Sequence, residues 1–166
     1  WFLATTFNRA AKAQAITMWE TETGRRCFEP IADPPGAKVA RFLGDGANFA
    51  VATACGEIQI RDSSSGELLS RLQGEEAATD VLQSWGGSRI VAMGRSGALS
   101  IWRTSDGALL TTLLPDQRED RWDWSHLSVS DDGTKIFASG RDLRIFDCIP
   151  YRIRHAEQQA NARGAD

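Results

Sequence analysis

The chain has 166 residues, of which 42% are hydrophobic and 25% are charged, and its formal net charge is −3. This length suits one domain with a substantial core, and the lack of a long apolar run argues against a membrane protein. The slightly acidic balance creates no general basic field for a phosphate backbone, so nucleic acid is not an expected partner.

The first 31 residues predict an incomplete β unit. Residues 1–7 form one apolar strand pattern, and residues 14–31 supply two more strands around a turn at Gly24. A glycine suits this tight turn because it accepts a positive φ at no steric cost. We therefore expect a unit of three strands that lacks its first strand.

Two fuller units follow, at residues 37–73 and 79–114. In each, a first hairpin is followed by a strand in which apolar residues alternate with small or polar ones, then by a turn glycine and a last apolar strand. The alternating pairs and the glycines that follow them are Ile58 and Ile60 with Gly66, and Leu99 and Ile101 with Gly107. Because a period of two is typical of half-buried strands, each unit is predicted to be an antiparallel meander of four short strands.

A fourth unit is predicted at residues 125–154, where Leu143 and Ile145 repeat the same alternation. Residues 155–166 are rich in Ala, Gln, Glu and Arg, which favours a short helix or a frayed tail. The chain thus divides into about four β units and a C-terminal tail.

The four units share one period. The equivalent positions are Trp19, Arg61, Trp102 and Phe146, which lie 42, 41 and 44 residues apart. A repeat of about forty residues built from four strands is the size of one β-propeller blade. The predicted fold class is therefore all-β, a propeller of about four four-stranded antiparallel blades with the first one incomplete.

The residues of the third and fourth units resemble the WD-repeat family. In the fourth unit, SVSDDGTKIFASGRDLRIFD is similar to the family's Ser-x-Asp-Gly turn, its Ala-Ser-Gly segment and its terminal aromatic-Asp pair. In the third unit, MGRSGALSIWRTSDGALLTTL is similar in its glycine-rich turn, its Ile-Trp pair and its Asp-Gly turn. The resemblance covers residues 1–154 and implies a propeller that serves as a non-catalytic surface for docking.

The repeats also depart from the family pattern. The Trp-Asp pair reads Trp-Glu, Arg-Asp, Trp-Arg and Phe-Asp in the four units, and the opening Gly-His pair is missing from all of them. The buried His-Asp network of the family is therefore not expected, and stability should rest mainly on apolar packing between blades. A divergent repeat of prokaryotic type and a quinoprotein-like propeller without its cofactor are both compatible with this pattern.

Ring closure requires more blades than this chain supplies. Closed members of the family usually have seven blades, whereas about three and a half are predicted here, so the remaining blades must come from the same longer chain or from a second copy. The start at Trp1-Phe2-Leu3 has no signal-peptide pattern, and three cysteines without close spacing favour a reducing, cytoplasmic compartment over a disulfide framework.

Residues for catalysis are few. The chain has two histidines. Asp123, Ser125 and His126 do not predict a catalytic triad, since neighbours on one strand point to opposite faces and no elbow motif holds the serine. No metal-ligand spacing, phosphate loop or dinucleotide motif is present. Since no His or Lys stands next to any of the three cysteines in the sequence to lower the pKa of its thiol, each cysteine is expected to be a small packing residue in or near the core. We therefore expect no enzyme activity, no cofactor and no metal.

Binding to a partner is predicted at the loops on one end of the blades. The longest loop carries Arg118, Arg121, Trp122 and Trp124, which are residue types that contribute much of the energy of protein interfaces. An alternative is that both tryptophans pack between blades. Neighbouring loops would add Glu75, Glu76, Arg95 and Arg141, a rim of mixed sign that suits a protein or peptide better than a polyanion.

The function predicted from these features is a protein-interaction scaffold or regulatory module. The alternative is a sensor or accessory propeller domain fused to an enzyme such as a kinase or an ATPase. Both follow from the resemblance to a family that binds many unrelated molecules.

Overall fold

A computed structural model describes residues 1–8, 13–32, 36–44, 46–84, 87–113, 126–130, 134–140 and 143–147. These residues contain fourteen β-strands, which are β1 Phe2–Asn8, β2 Ala13–Trp19, β3 Ile31–Ala32, β4 Val39–Leu43, β5 Asn48–Ala52, β6 Glu57–Asp62, β7 Leu68–Gln73, β8 Ala78–Ser84, β9 Arg89–Gly94, β10 Leu99–Arg103, β11 Leu109–Leu113, β12 His126–Val129, β13 Lys135–Ser139 and β14 Leu143–Asp147. Within the same ranges there is no helix of the length and apolar character needed to cross a lipid bilayer.

The strands form four antiparallel sheets in chain order. The first sheet is β1-β2-β3, the second β4-β5-β6-β7, the third β8-β9-β10-β11 and the fourth β12-β13-β14. Within each sheet, every strand pairs with the next one along the chain, so each sheet is a simple meander. The all-β class and the antiparallel meanders are confirmed, whereas the predicted tail at 155–166 lies outside the described residues.

The strand register shows why the sequence repeats. The residues opposite the four predicted equivalent positions are Phe2 for Trp19, Phe49 for Arg61, Ile90 for Trp102 and Ile136 for Phe146. The turns repeat as well. The turn glycines Gly24, Gly66 and Gly107 all adopt φ values between 66° and 74°, and the amide of each donates a hydrogen bond to the carbonyl four residues earlier. These left-handed conformations are accessible to glycine without steric cost.

The hydrophobic core lies between successive sheets. Alternating residues of the next-to-last strand in one sheet pack on the second strand of the next, as Ile16 and Met18 do with Phe49 and Val51. The same positions recur between the second and third sheets, where Ile58 and Ile60 join Ile90, Ala92 and Trp102, and between the third and fourth, where Leu99 and Ile101 join Ile136 and Ala138. The apolar packing between units that the sequence predicts is therefore present at three interfaces.

A buried carboxylate adds a polar connection that the sequence did not predict. Asp80 on β8 is almost fully buried, and its Oδ1 accepts hydrogen bonds from Nε of Arg41 on β4 at 3.1 Å and from the amide of Val81 at 2.9 Å. Its Oδ2 accepts one from the amide of Leu127 on β12 at 2.9 Å. Asp80 thus joins the first strands of three successive sheets, and packing between them is not apolar alone.

Candidate binding face

Loops from the second and third sheets meet at one end of the sheets. We define this loop face by four segments. Residues 36–38 precede β4, residues 53–56 join β5 to β6, residues 74–77 join β7 to β8, and residues 94–98 form the turn between β9 and β10. Of the predicted site residues, Glu75, Glu76 and Arg95 lie on it. Arg118, Arg121, Trp122, Trp124 and Arg141 lie outside the described residues, so their role stays a prediction.

Glycines allow these loops to approach one another closely. Gly56, with φ of 85°, accepts a hydrogen bond from the amide of Gly74 at 2.9 Å. A Cβ atom at position 56 would lie 3.0 Å from the carbonyl oxygens of Gly74 and Glu76, which is too close for an ordinary contact. The two glycines therefore hold the β5–β6 turn against the connection between the sheets.

The Glu76 side chain is fixed across the edge of the third sheet. Its Oε2 accepts a hydrogen bond from the amide of Ser96 at 3.0 Å, and its Oε1 accepts another from the Ser96 hydroxyl. The side chain fits because position 94 is glycine, where a Cβ atom would lie 2.1 Å from Oε1 of Glu76. The structure thus brings together the two predicted loops that carry Glu75, Glu76 and Arg95.

Two adjoining cavities open on this face. The first, which we call the tryptophan cavity, has a volume of about 280 Å³ and is lined by Glu75, Glu76, Ser100, Trp102 and Thr112 among others. The second, which we call the basic cavity, has a volume of about 510 Å³ and is lined by Lys38, Val39, Ala54, Ala77, Ala78, Thr79 and Arg95. The two cavities meet at Ala78, which lines both.

The charges of the face are segregated between the cavities. The carboxylates of Glu75 and Glu76 belong to the tryptophan cavity, and the cations of Lys38 and Arg95 belong to the basic cavity. Sequence reasoning missed Lys38 because it precedes its strand rather than standing in a recognised turn. Its position next to Val39, the start of β4, was the available signal.

The β5–β6 turn also carries a polarised thiol. Cys55 is exposed, and the Thr53 hydroxyl lies 3.1 Å from its Sγ, so hydrogen bonding lowers the pKa of the thiol below its usual range. The expectation that Cys55 packs in or near the core is therefore wrong, because this side chain is exposed. No His or Lys adjoins it in the sequence, and the group that lowers the pKa of its thiol is the Thr53 hydroxyl two residues away.

Side chains that could hold a metal ion do not converge in the described part of the chain. No group of three or more His, Cys, Asp or Glu residues there is placed to hold a metal ion. His126 is exposed on β12, while Asp123 and Ser125 lie outside the described residues.

Comparison with known proteins identifies a fold and no family. No family model matches the sequence, and no curated protein matches it. A solved structure described as Kuenenia stuttgartiensis hydrazine synthase is similar with a TM-score of 0.65 over 80% of this chain, at 14% sequence identity. The present chain spans only 40% of the length of that structure. At this identity the likeness concerns the fold alone.

Proposed function

We propose that this chain is part of a WD-like β-propeller whose loop face binds protein or peptide partners, as a non-catalytic interaction module. The observation that carries the proposal is the pair of adjoining, oppositely charged cavities on a face built from four loops of two sheets. Concave sites with an apolar wall and a few polar groups are the usual form of a binding site.

The end sheets support the propeller arrangement. Leu143 and Ile145 of the fourth sheet correspond to two positions that are buried in the other sheets. These positions are Ile58 and Ile60 in the second sheet, and Leu99 and Ile101 in the third. In the fourth sheet, however, these side chains are 61% and 55% exposed. A face of this kind is made to pack on a following sheet, as the three internal interfaces do.

The opposite end of the series carries the matching half of such an interface. Phe2 lies opposite Trp19 and so corresponds to the buried Phe49 and Ile90 of the next two sheets. Phe2 is nevertheless 59% exposed, and the centre of its ring lies 5.8 Å from that of Trp19. Further blades, from the same protein or a second copy, would cover both faces. This is the arrangement that a ring of radially repeated sheets requires.

A peptide-display selection tests the proposed binding. Peptides selected on the immobilised protein are re-measured on the exchange variant Glu75→Lys/Arg95→Glu, which leaves the net charge unchanged. The matched control is Glu22→Lys/Arg25→Glu, two exposed residues in the β2–β3 turn at the other end of the sheets. We expect the selected peptides to lose binding to the first variant and keep it on the second. Equal binding to both, or loss on the control alone, would refute the assignment of the face.

A further inference from the structure

We infer that the basic cavity takes a carboxylate side chain, Glu or Asp, of an extended peptide. The inference rests on the proposed function and specifies the chemistry of the ligand at that site. The two groups that would bind the carboxylate come from different sheets: Lys38 immediately precedes β4 of the second sheet, and Arg95 immediately follows β9 of the third.

Several arginines of the described residues pair with carboxylates, whereas the two cations of the basic cavity do not. Side chains that pair with carboxylates there include Arg26 with Glu29, Arg41 with Asp80, Arg71 with Glu57 and Arg103 with Asp106. Lys38 and Arg95 have no such partner within the described ranges, and both are exposed. They are therefore available for a ligand.

The remaining lining selects against other chemistry. The walls are the side chains of Val39, Ala54, Ala77 and Ala78, and no carboxylate among the described residues lines the cavity. The Thr79 hydroxyl is already used, since it donates a hydrogen bond to the carbonyl of Met93 at 3.1 Å. The ligand must therefore present an anion to two cations and small apolar groups to the walls. A guanidinium can hold a carboxylate through two parallel hydrogen bonds.

The surroundings favour a peptide over a polyanion. The adjoining tryptophan cavity carries Glu75 and Glu76, and the whole chain has a net charge of −3. A nucleic acid or a polyphosphate would meet these like charges, whereas a single carboxylate next to neutral or basic residues would not. A volume of about 510 Å³ also suits a short side chain with its apolar neighbours.

The test compares two peptides of the same shape. Ac-Ala-Val-Glu-Ala-Ala-NH₂ and the same peptide with Gln in place of Glu are titrated into ¹⁵N-labelled protein, and the shifts of the Lys38, Ala54 and Arg95 amides give the affinity. We expect the Glu peptide to bind about fivefold to tenfold more tightly, since a charge-assisted hydrogen bond is stronger than a neutral one. The variant Lys38→Gln/Arg95→Gln should reduce binding of the Glu peptide to the level of the Gln peptide.

The control variant is Arg25→Gln/Lys135→Gln, which makes the same change of charge at exposed positions of the opposite end. It should keep the preference for Glu. Equal affinity of the two peptides, no saturable shift with either, or a preference that survives in Lys38→Gln/Arg95→Gln would overturn the inference. A third peptide with phosphoserine in place of Glu would overturn it if that peptide alone bound.

The two proposals fail separately. The display-selected peptides could lose binding to Glu75→Lys/Arg95→Glu, contain no acidic residue and bind Lys38→Gln as tightly as the unaltered protein. That result would support the binding face and refute the carboxylate inference. Failure of the face itself is visible in the display experiment, where the binding would not respond to any change on the loop face.

Discussion

Removing the Asp80 carboxylate should destabilise the protein more than removing its cationic partner. In Asp80→Ala, the amides of Val81 and Leu127 both lose an acceptor that lies at 2.9 Å. A donor left without a partner in a buried site costs about 1–3 kcal/mol. The side chain of Arg41 is 52% exposed and returns to water, so the ion pair itself adds less than about 1 kcal/mol.

The free energy of unfolding should therefore fall by about 3 kcal/mol in Asp80→Ala and by about half of that in Asp80→Asn, which keeps one oxygen. It should fall by less than about 1 kcal/mol in Arg41→Ala. Urea denaturation with linear extrapolation measures the three values. The amide of Leu127 should also exchange with solvent faster in Asp80→Ala, because its hydrogen bond to the neighbouring sheet is lost.

Asp106→Ala is the matched control, since that carboxylate also accepts an Arg hydrogen bond but is exposed in the β10–β11 turn. It should change stability far less than Asp80→Ala. Unfolding of Asp80→Ala at the same urea concentration as the unaltered protein would contradict this prediction. So would a larger loss of stability in Arg41→Ala than in Asp80→Ala.

Three further predictions concern turns and end sheets. Hydrogen bonds, above all from the Ser64 hydroxyl of its turn, lower the pKa of Asp62 to about 2, so its stabilising effect is complete above its ordinary pKa of 3.8 and is lost as the pH falls through about 2. The melting temperature of Asp62→Asn should therefore depend less on pH between those values than that of the unaltered protein. The same dependence on pH in both proteins would contradict this prediction. Gly66→Ala should destabilise the protein more than Gly46→Ala. Both glycines have positive φ, but only at position 66 would the added Cβ lie 2.9 Å from the ring of Phe28. Equal unfolding midpoints of the two variants would contradict this prediction. Leu143→Ser/Ile145→Ser should reduce self-association measured by light scattering, because it removes the exposed apolar face; an unchanged mass at all concentrations would show that the face does not associate.

The repeating part of the fold could be predicted from the sequence. The spacing of Trp19, Arg61 and Trp102 places each of them opposite an apolar residue of the preceding strand, and the turn glycines recur where the chain adopts positive φ. Both features are local: alternation sets the face of a strand, and a tight turn demands glycine. They repeat in every unit and therefore stand out in a single sequence.

The features that join the sheets could not be predicted in the same way. Asp80 lies beside a bulge between Ala78 and Asp80, where one extra residue interrupts the period of two, and its partners Arg41 and Leu127 are 39 and 47 residues away. Lys38 was missed for a related reason, because its cavity forms only when the second and third sheets pack. Such sites depend on contacts between units rather than on a pattern within one.

Hydrogen–deuterium exchange of the protein with a display-selected peptide tests the central claim, partner binding at the loop face, most directly. We expect the bound peptide to slow exchange at residues 36–38, 53–56, 74–77 and 94–98, and to leave exchange in the turns at 20–25, 62–67 and 103–108 unchanged. Slower exchange confined to those three turns, at the opposite end of the sheets, would contradict it.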